Sequence, residues 1–123
     1  KLDYAHGTGH GVGYFLNVHE GPQAISKNNT IKIEDGMILS NEPGYYKKGK
    51  FGIRIENLIY VKKNKNKIFF KNLTLAPIDT DLINYKMLNT LEKKYLSNYH
   101  TDTYSKISKF LNSNEKKWLL NLI

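Results

Sequence analysis

Up to about residue 79 the apolar positions fall in short alternating runs broken by Gly, Pro and Asn, and beyond it they recur at three- and four-residue spacing. The first pattern predicts short strands and the second predicts helices. Turns are expected at Gly21-Pro22, Lys27-Asn28-Asn29, Glu34-Asp35-Gly36 and Pro43-Gly44, and over residues 47–50 and 62–67. Glycine accepts a positive φ there and proline fixes its own. Residues 51–61, FGIRIENLIYV, read as one strand with Phe51, Ile53, Ile55, Asn57, Ile59 and Val61 on one side. Arg54, Glu56, Leu58 and Tyr60 occupy the other, so Arg54 and Glu56 point the same way. Residues 67–76 read as a further strand, paired as a hairpin across the Lys/Asn turn. In the tail, Asp79 or Thr80 is expected to cap a short helix through Leu82 and Tyr85. Asn89 with Glu92, and Asn112 with Glu115, have the spacing of capping boxes. Leu91, Tyr95, Tyr99, Ile107 and Phe110 follow the first box at helical spacing and are expected to pack in a core or interface.

Composition narrows the classes. A chain of 123 residues, 40% hydrophobic, predicts one domain, able to bury roughly two-thirds of its unfolded surface. No apolar run approaches the ~18 residues of a membrane span, and the chain opens without a signal peptide's apolar segment. Cysteine is absent, which excludes disulfide scaffolds, thiolate catalysis, iron–sulfur clusters and zinc fingers. The formal charge of +8 is unevenly spread. Residues 1–61 carry six Lys and one Arg against six acids, a net of +1; residues 62–123 carry twelve Lys against five acids, a net of +7. The sole arginine is Arg54. Base-edge readout favours arginine, and no basic run is interleaved in sequence with stacking aromatics, so neither nucleic acid nor membrane is an expected partner.

Four segments of the first part carry candidate chemistry. HGTGHGVG, residues 6–13, has glycine at every second position and so is no helix. As a strand it places His6, Thr8 and His10 on one face, leaving a glycine face that a second backbone or a substrate can approach closely. NVHEGPQ sets His19 and Glu20 before a Gly-Pro turn. In SNEPGYY, Glu42 precedes Pro43 and is held extended. In GIRIEN, Glu56 shares the Arg54 side of an otherwise apolar strand, where the two either pair or serve a site. His10, Glu42 and Glu56 are ligand types suited to Mn²⁺, Zn²⁺ or Co²⁺. Three such ligands hold one metal poorly and two metals not at all.

In this order and spacing, HGTGHGVG, LNVHEGPQ, SNEPGYY and GIRIEN resemble the aminopeptidase P (Xaa-Pro aminopeptidase) family of pita-bread metallopeptidases. TLAPID, the Tyr99-His100 pair and the terminal Glu-x-x-Trp-Leu are similar to the end of its eukaryotic cytosolic members. The resemblance implies an α+β fold: the C-terminal half of a pita-bread domain over residues 1–78, with antiparallel strands, then a helical extension over 79–123. It implies hydrolysis of the N-terminal Xaa-Pro bond by a hydroxide bridging two divalent metals, Mn²⁺ foremost. His10 matches the histidine ligand, Glu42 a carboxylate ligand and Glu56 the bridging carboxylate. His6 and His19 match substrate-pocket histidines, Arg54 an arginine beside the bridging glutamate, and Tyr45 is a weaker candidate for the pocket wall. The pattern also requires two aspartate ligands upstream of the histidine motif, and Asp3 lies too close to serve. The chain therefore reads as the C-terminal piece of a longer cytoplasmic enzyme, completed by its N-terminal remainder and dimerising through the tail. Methionine aminopeptidase and prolidase share the fold and stay open as alternatives, as does a non-catalytic half-domain that supplies ligands and a dimer surface.

Overall fold

The computed structural model describes residues 3–15 and 17–123; Leu16 of the LNVHEGPQ segment lies outside them. The chain divides into two compact units, Lys1–Thr74 and Leu75–Ile123. The first is built of strands: β1 (Gly9–His10), β2 (Ala24–Ile25), β3 (Ile38–Asn41), β4 (Gly44–Lys47), β5 (Phe51–Arg54), β6 (Asn57–Asn64) and β7 (Lys67–Asn72). All pairings are antiparallel: β1 with β2, β4 with β5, and a three-stranded sheet ordered β3-β6-β7. Leu39, Ile59 and Val61 form the buried centre, with Ile25, Ile33 and Met37 packed against it.

The single strand expected over residues 51–61 is instead two, β5 and β6, interrupted at Ile55-Glu56. Opposite the break stand Glu42 and Pro43, between β3 and β4. Pro43 has no N–H to give to a ladder, so the regular pairing is interrupted there, although its carbonyl still accepts the Ile55 N–H at 3.3 Å. The register nevertheless runs through unchanged, because Asn41 pairs with Asn57 and Gly44 with Arg54. Glu42 therefore falls opposite Glu56, and the alternation that joins Arg54 to Glu56 extends across to Glu42 and Tyr46.

The other hairpins follow their turn residues. Gly49, at φ 69°, closes β4–β5 through the Lys50 N–H to the Lys47 carbonyl at 2.9 Å. Lys65, at φ 53°, closes the β6–β7 hairpin, so that expected pairing is present, although β7 ends at Asn72 short of residue 76.

The second unit contains α1 (Thr90–Ile107), a 3₁₀ turn (Ser108–Phe110) and α2 (Ser113–Leu122). Both capping boxes form as expected: Asn89 with Glu92, and Asn112 with Glu115. The short helix expected from Asp79 or Thr80 is absent. The Asp79 side chain accepts the Asp81 N–H at 2.9 Å, a local turn that competes with a helical start. The expected apolar stripe is also displaced. Leu91, Tyr95, Phe110 and Trp118 are exposed, while Leu96, Tyr99, His100, Thr103 and Leu119 are buried.

Two polar groups on that buried stripe hold the segment before the helices. The Tyr99 hydroxyl donates to the Ala76 carbonyl at 2.6 Å, and the Ile78 N–H donates to His100 Nε2 at 3.1 Å. Burial lowers the His100 pKa below its usual 6.5, and Nε2 keeps the Ile78 bond only when unprotonated. The unfolded chain then binds the proton more readily, so this stability is full above about pH 6.5 and is lost as pH falls through the window below it. The thermal midpoint of the intact polypeptide should drop between about pH 7.5 and pH 5.5. In His100→Gln, whose amide oxygen can still accept the N–H, that part of the slope should vanish. An identical slope in both proteins would place the titration elsewhere.

Candidate functional site

Sequence-predicted residues converge where β1 lies against the end of β3, beside Arg54 at the end of β5. His6, Gly7, Gly9, His10, His19, Glu42 and Arg54 line a cavity of about 260 Å³. Its floor depends on glycine: a Cβ at Gly9 would lie 1.9 Å from the Ser40 carbonyl oxygen, and one at Gly11 equally close to that of Glu20. Only because these positions are bare can β1 lie against residue 40. The Glu42 N–H then donates to the Thr8 carbonyl at 2.7 Å, and the His10 N–H to Ser40 Oγ at 2.9 Å.

Ser40 Oγ in turn donates to Glu42 Oε1 at 3.0 Å, so one hydroxyl fixes both the histidine backbone and the carboxylate. Glu42 Oε2 accepts from Arg54 Nη1 at 2.9 Å. His10 Nε2 faces Glu42 Oε1 at 3.3 Å. The other ring nitrogen, Nδ1, is 2.8 Å from the Gly11 carbonyl oxygen, which can only accept, so Nδ1 carries the proton. Unprotonated, Nε2 would be a lone pair aimed at a carboxylate oxygen. Two acceptors so placed require a cation between them, either a proton or a metal ion. Donors about 2.0–2.2 Å from one tetrahedral ion stand roughly 3.4 Å apart, so the pair fits a shared metal.

The opposite wall is a second chain of bonds. His6 Nδ1 donates to the Gly7 carbonyl at 2.7 Å, leaving Nε2 to accept from the Tyr46 hydroxyl at 2.7 Å. Tyr46 Oη accepts from Arg54 Nε at 3.0 Å. The hydrogen bond to Tyr46 comes first among the influences raising the Arg54 pKa, with the Glu42 and Glu56 carboxylates also contributing. Arg54 thus connects His6, through Tyr46, to Glu42 and His10. The Tyr46 ring lies over Gly44 and Gly52, where any Cβ would meet it at 2.5–2.7 Å. Those two glycines let the ring lie flat and carry its hydroxyl to Arg54.

His19 lies against His10, with ring centroids 4.1 Å apart and the planes tilted by 36°. Glu56 is exposed and does not line the cavity; its charge is felt by Arg54. Among the described residues no three His, Asp or Glu side chains stand close enough to hold a metal ion together. The donor set in place is the His10–Glu42 pair, with Glu56 in register opposite Glu42. Tyr45, the expected pocket wall, instead lies on the other face of the β4–β5 hairpin, its ring 6.0 Å from Phe51. Pairing of Tyr46 with Gly52 and of Gly44 with Arg54 puts Tyr46 on the arginine side. Tyr46 and Ser40 were missed from sequence, yet both sit an even number of residues from Glu42. Period-two alternation was the signal that finds them.

Residues 1–63 match metallopeptidase family M24, and residues 67–122 match the C-terminal region of peptidase M24. The chain belongs to the M24 metallopeptidases. Its relatives include a probable Xaa-Pro aminopeptidase P of Laccaria bicolor, 47% identical over 96% of this M24 chain and 20% of the relative. Another is Xaa-Pro aminopeptidase 1 of Dictyostelium discoideum, 47% identical over 99% of this chain and 22% of the relative. Among solved structures, the X-prolyl aminopeptidase of Caenorhabditis elegans, a cytosolic enzyme with a di-nuclear active site, superimposes with a TM-score of 0.89. It is 38% identical over 98% of this chain and 22% of its own. The M24 chain thus spans about a fifth of the length of the relatives it matches. The antiparallel strands followed by helices are those of the pita-bread neighbour.

Proposed function

We propose that this chain is the part of a two-metal aminopeptidase that supplies His10, Glu42 and Glu56 as ligands for hydrolysis of N-terminal Xaa-Pro bonds. The observation that carries the reading is the placing of the His10 ring: Nδ1 lies 2.8 Å from the Gly11 carbonyl oxygen and Nε2 faces Glu42 Oε1 at 3.3 Å. Residues 1–78 would form the C-terminal half of the catalytic domain and residues 79–123 its helical extension. A segment outside the chain would bring two further carboxylates. When bound, two divalent ions, Mn²⁺ foremost, would supply hydroxide by lowering the pKa of water to about 7.

The chain's own residues divide the remaining work. His10 and Glu42 would hold one ion, and Glu56, in register opposite Glu42, would supply the second carboxylate. Arg54 holds the second oxygen of Glu42, which leaves Oε1 as the atom that would serve as ligand and would receive or return a proton. His19, on the cavity wall, donates to the carbonyl oxygen as negative charge grows there. His6 contacts the residues flanking the scissile bond, its ring oriented by Tyr46.

The intact polypeptide supplied with Mn²⁺ should release the first residue of a peptide with proline second, and do so faster than with alanine second. No release with Glu42 and the metal in place would overturn the reading. The isolated 123-residue chain should be inactive; measurable turnover by it would show that no outside donors are needed. The parent enzyme would work in the cytoplasm as a homodimer joined through residues 79–123, and sedimentation as a monomer at micromolar concentration would remove that contact.

Tyr46→Phe tests the orienting network. It deletes the hydroxyl shared by His6 and Arg54 while keeping the ring over the two glycines. Turnover by the intact polypeptide should fall by about 10–100-fold with metal content unchanged. Wild-type rates would mean that Arg54 holds Glu42 unaided.

A further inference from the structure

The positive charge that sequence places in the second half of the chain is concentrated by the fold on one ribbon. The β6–β7 hairpin carries Lys62, Lys63, Lys65, Lys67 and Lys71 with no acid, and residues 62–71 are all exposed. Ile68, Phe69 and Phe70 are exposed with them, at 42–55%. Pairing interleaves what the sequence keeps apart: Lys62 lies opposite Phe69 and Lys71 opposite Tyr60. Because residues directly opposite share a face, Lys62, Lys67 and Lys71 frame Phe69 and Tyr60 on one side of the ribbon. Val61, on the other side, is buried.

β7 is also the edge of its sheet among the described residues, since the order is β3-β6-β7. An edge strand presents unpaired backbone groups to any extended segment that reaches it. Lysines on an edge repel a second copy of the same strand, because like charges would lie directly opposite. The same lysines favour a strand that carries carboxylates at alternate positions. Protection alone gives no reason for Phe69 to stand exposed between two of them.

We propose that β7 is a docking edge for an acidic, extended polypeptide segment, which adds to the sheet as a fourth strand. Its backbone pairs with the free edge. Its alternate carboxylates meet Lys67 and Lys71, and an apolar residue between them meets Phe69. The occupant is an acidic strand and not a second copy of this chain, on charge complementarity.

The test uses the intact polypeptide and three fluorescent probes: an acetylated alternating Glu/Val peptide, the same composition with a central proline, and a single-stranded oligonucleotide. The Glu/Val peptide should bind by anisotropy, the proline peptide should bind about tenfold more weakly, and the oligonucleotide no better than the proline peptide. Lys67→Glu with Lys71→Glu should weaken Glu/Val binding by at least about tenfold, with an unchanged circular dichroism spectrum. Phe69→Ala, which keeps the charge, should weaken it as well. Equal binding of the peptide with and without proline would overturn the proposal, leaving charge attraction alone. So would preferential binding of the oligonucleotide, or self-association through the ribbon abolished by the same lysine substitutions. The proposal is independent of the peptidase assay, since none of these residues lines the cavity.

Discussion

Glu42→Gln in the intact polypeptide is expected to lower Xaa-Pro hydrolysis by about 10³-fold or more, the largest effect of any single side chain here. The carboxylate meets three demands at once. Oε2 neutralises Arg54 at 2.9 Å, while Oε1 accepts from Ser40 at 3.0 Å and faces His10 Nε2 at 3.3 Å. An amide has one oxygen and two donors, so it cannot accept on both sides. Either Arg54 or the His10 side loses its acceptor, and the cation the pair requires is no longer held. Bound divalent metal, measured by atomic absorption after dialysis, should fall together with turnover. The protein should stay folded, because the neighbouring core of Leu39, Ile59 and Val61 is untouched. Wild-type metal content with lost activity would confine Glu42 to proton transfer, and full activity would remove it from the site.

Gly9→Ala should be the most damaging small substitution. Its new methyl group would have to occupy space 1.9 Å from the Ser40 carbonyl oxygen and 2.9 Å from the carbonyl carbon. A backbone cannot swing aside as a side chain can, so β1 must separate from residue 40. The expected loss of stability is about 1–3 kcal/mol, the range for overpacking. Activity should suffer more, because His10 rides on the displaced strand, and a shift of about 1 Å at a reacting centre can cost 10²-fold. Thermal unfolding and turnover measured together separate the two effects. Gly21→Ala is the control, since nothing lies within 4 Å of its Cβ position. Equal behaviour of the two variants would mean that β1 does not depend on the bare backbone.

Much of this is legible in the sequence. Capping boxes at Asn89 and Asn112 are local, closing within three residues, so sequence spacing suffices to place both helix starts. The order of the histidine and glutamate segments is enough to suggest a resemblance to the aminopeptidase P family of pita-bread metallopeptidases, because four ordered motifs constrain far more than one. Alternation also placed His6 and His10 on one face and bare glycines on the other.

Other features depended on what each strand meets. The break at Ile55-Glu56 was invisible in an unbroken apolar alternation, since its cause, Pro43, sits on the partner strand. The buried stripe of α1 includes His100 and Thr103, polar residues that an apolar pattern passes over, and His100 earns its place through the Ile78 N–H. Tyr46 and Tyr45 are indistinguishable in SNEPGYY until Tyr46 is paired with Gly52.

Local order along this chain thus decides turns, caps, residue types and family, because each depends on neighbours within a few positions. Which oxygen of Glu42 faces which cation, which nitrogen of His10 is free, and how lysines from two strands surround Phe69 are pairings between distant residues. Such pairings follow from register and close approach in three dimensions, and the chain acquires them only when its strands meet.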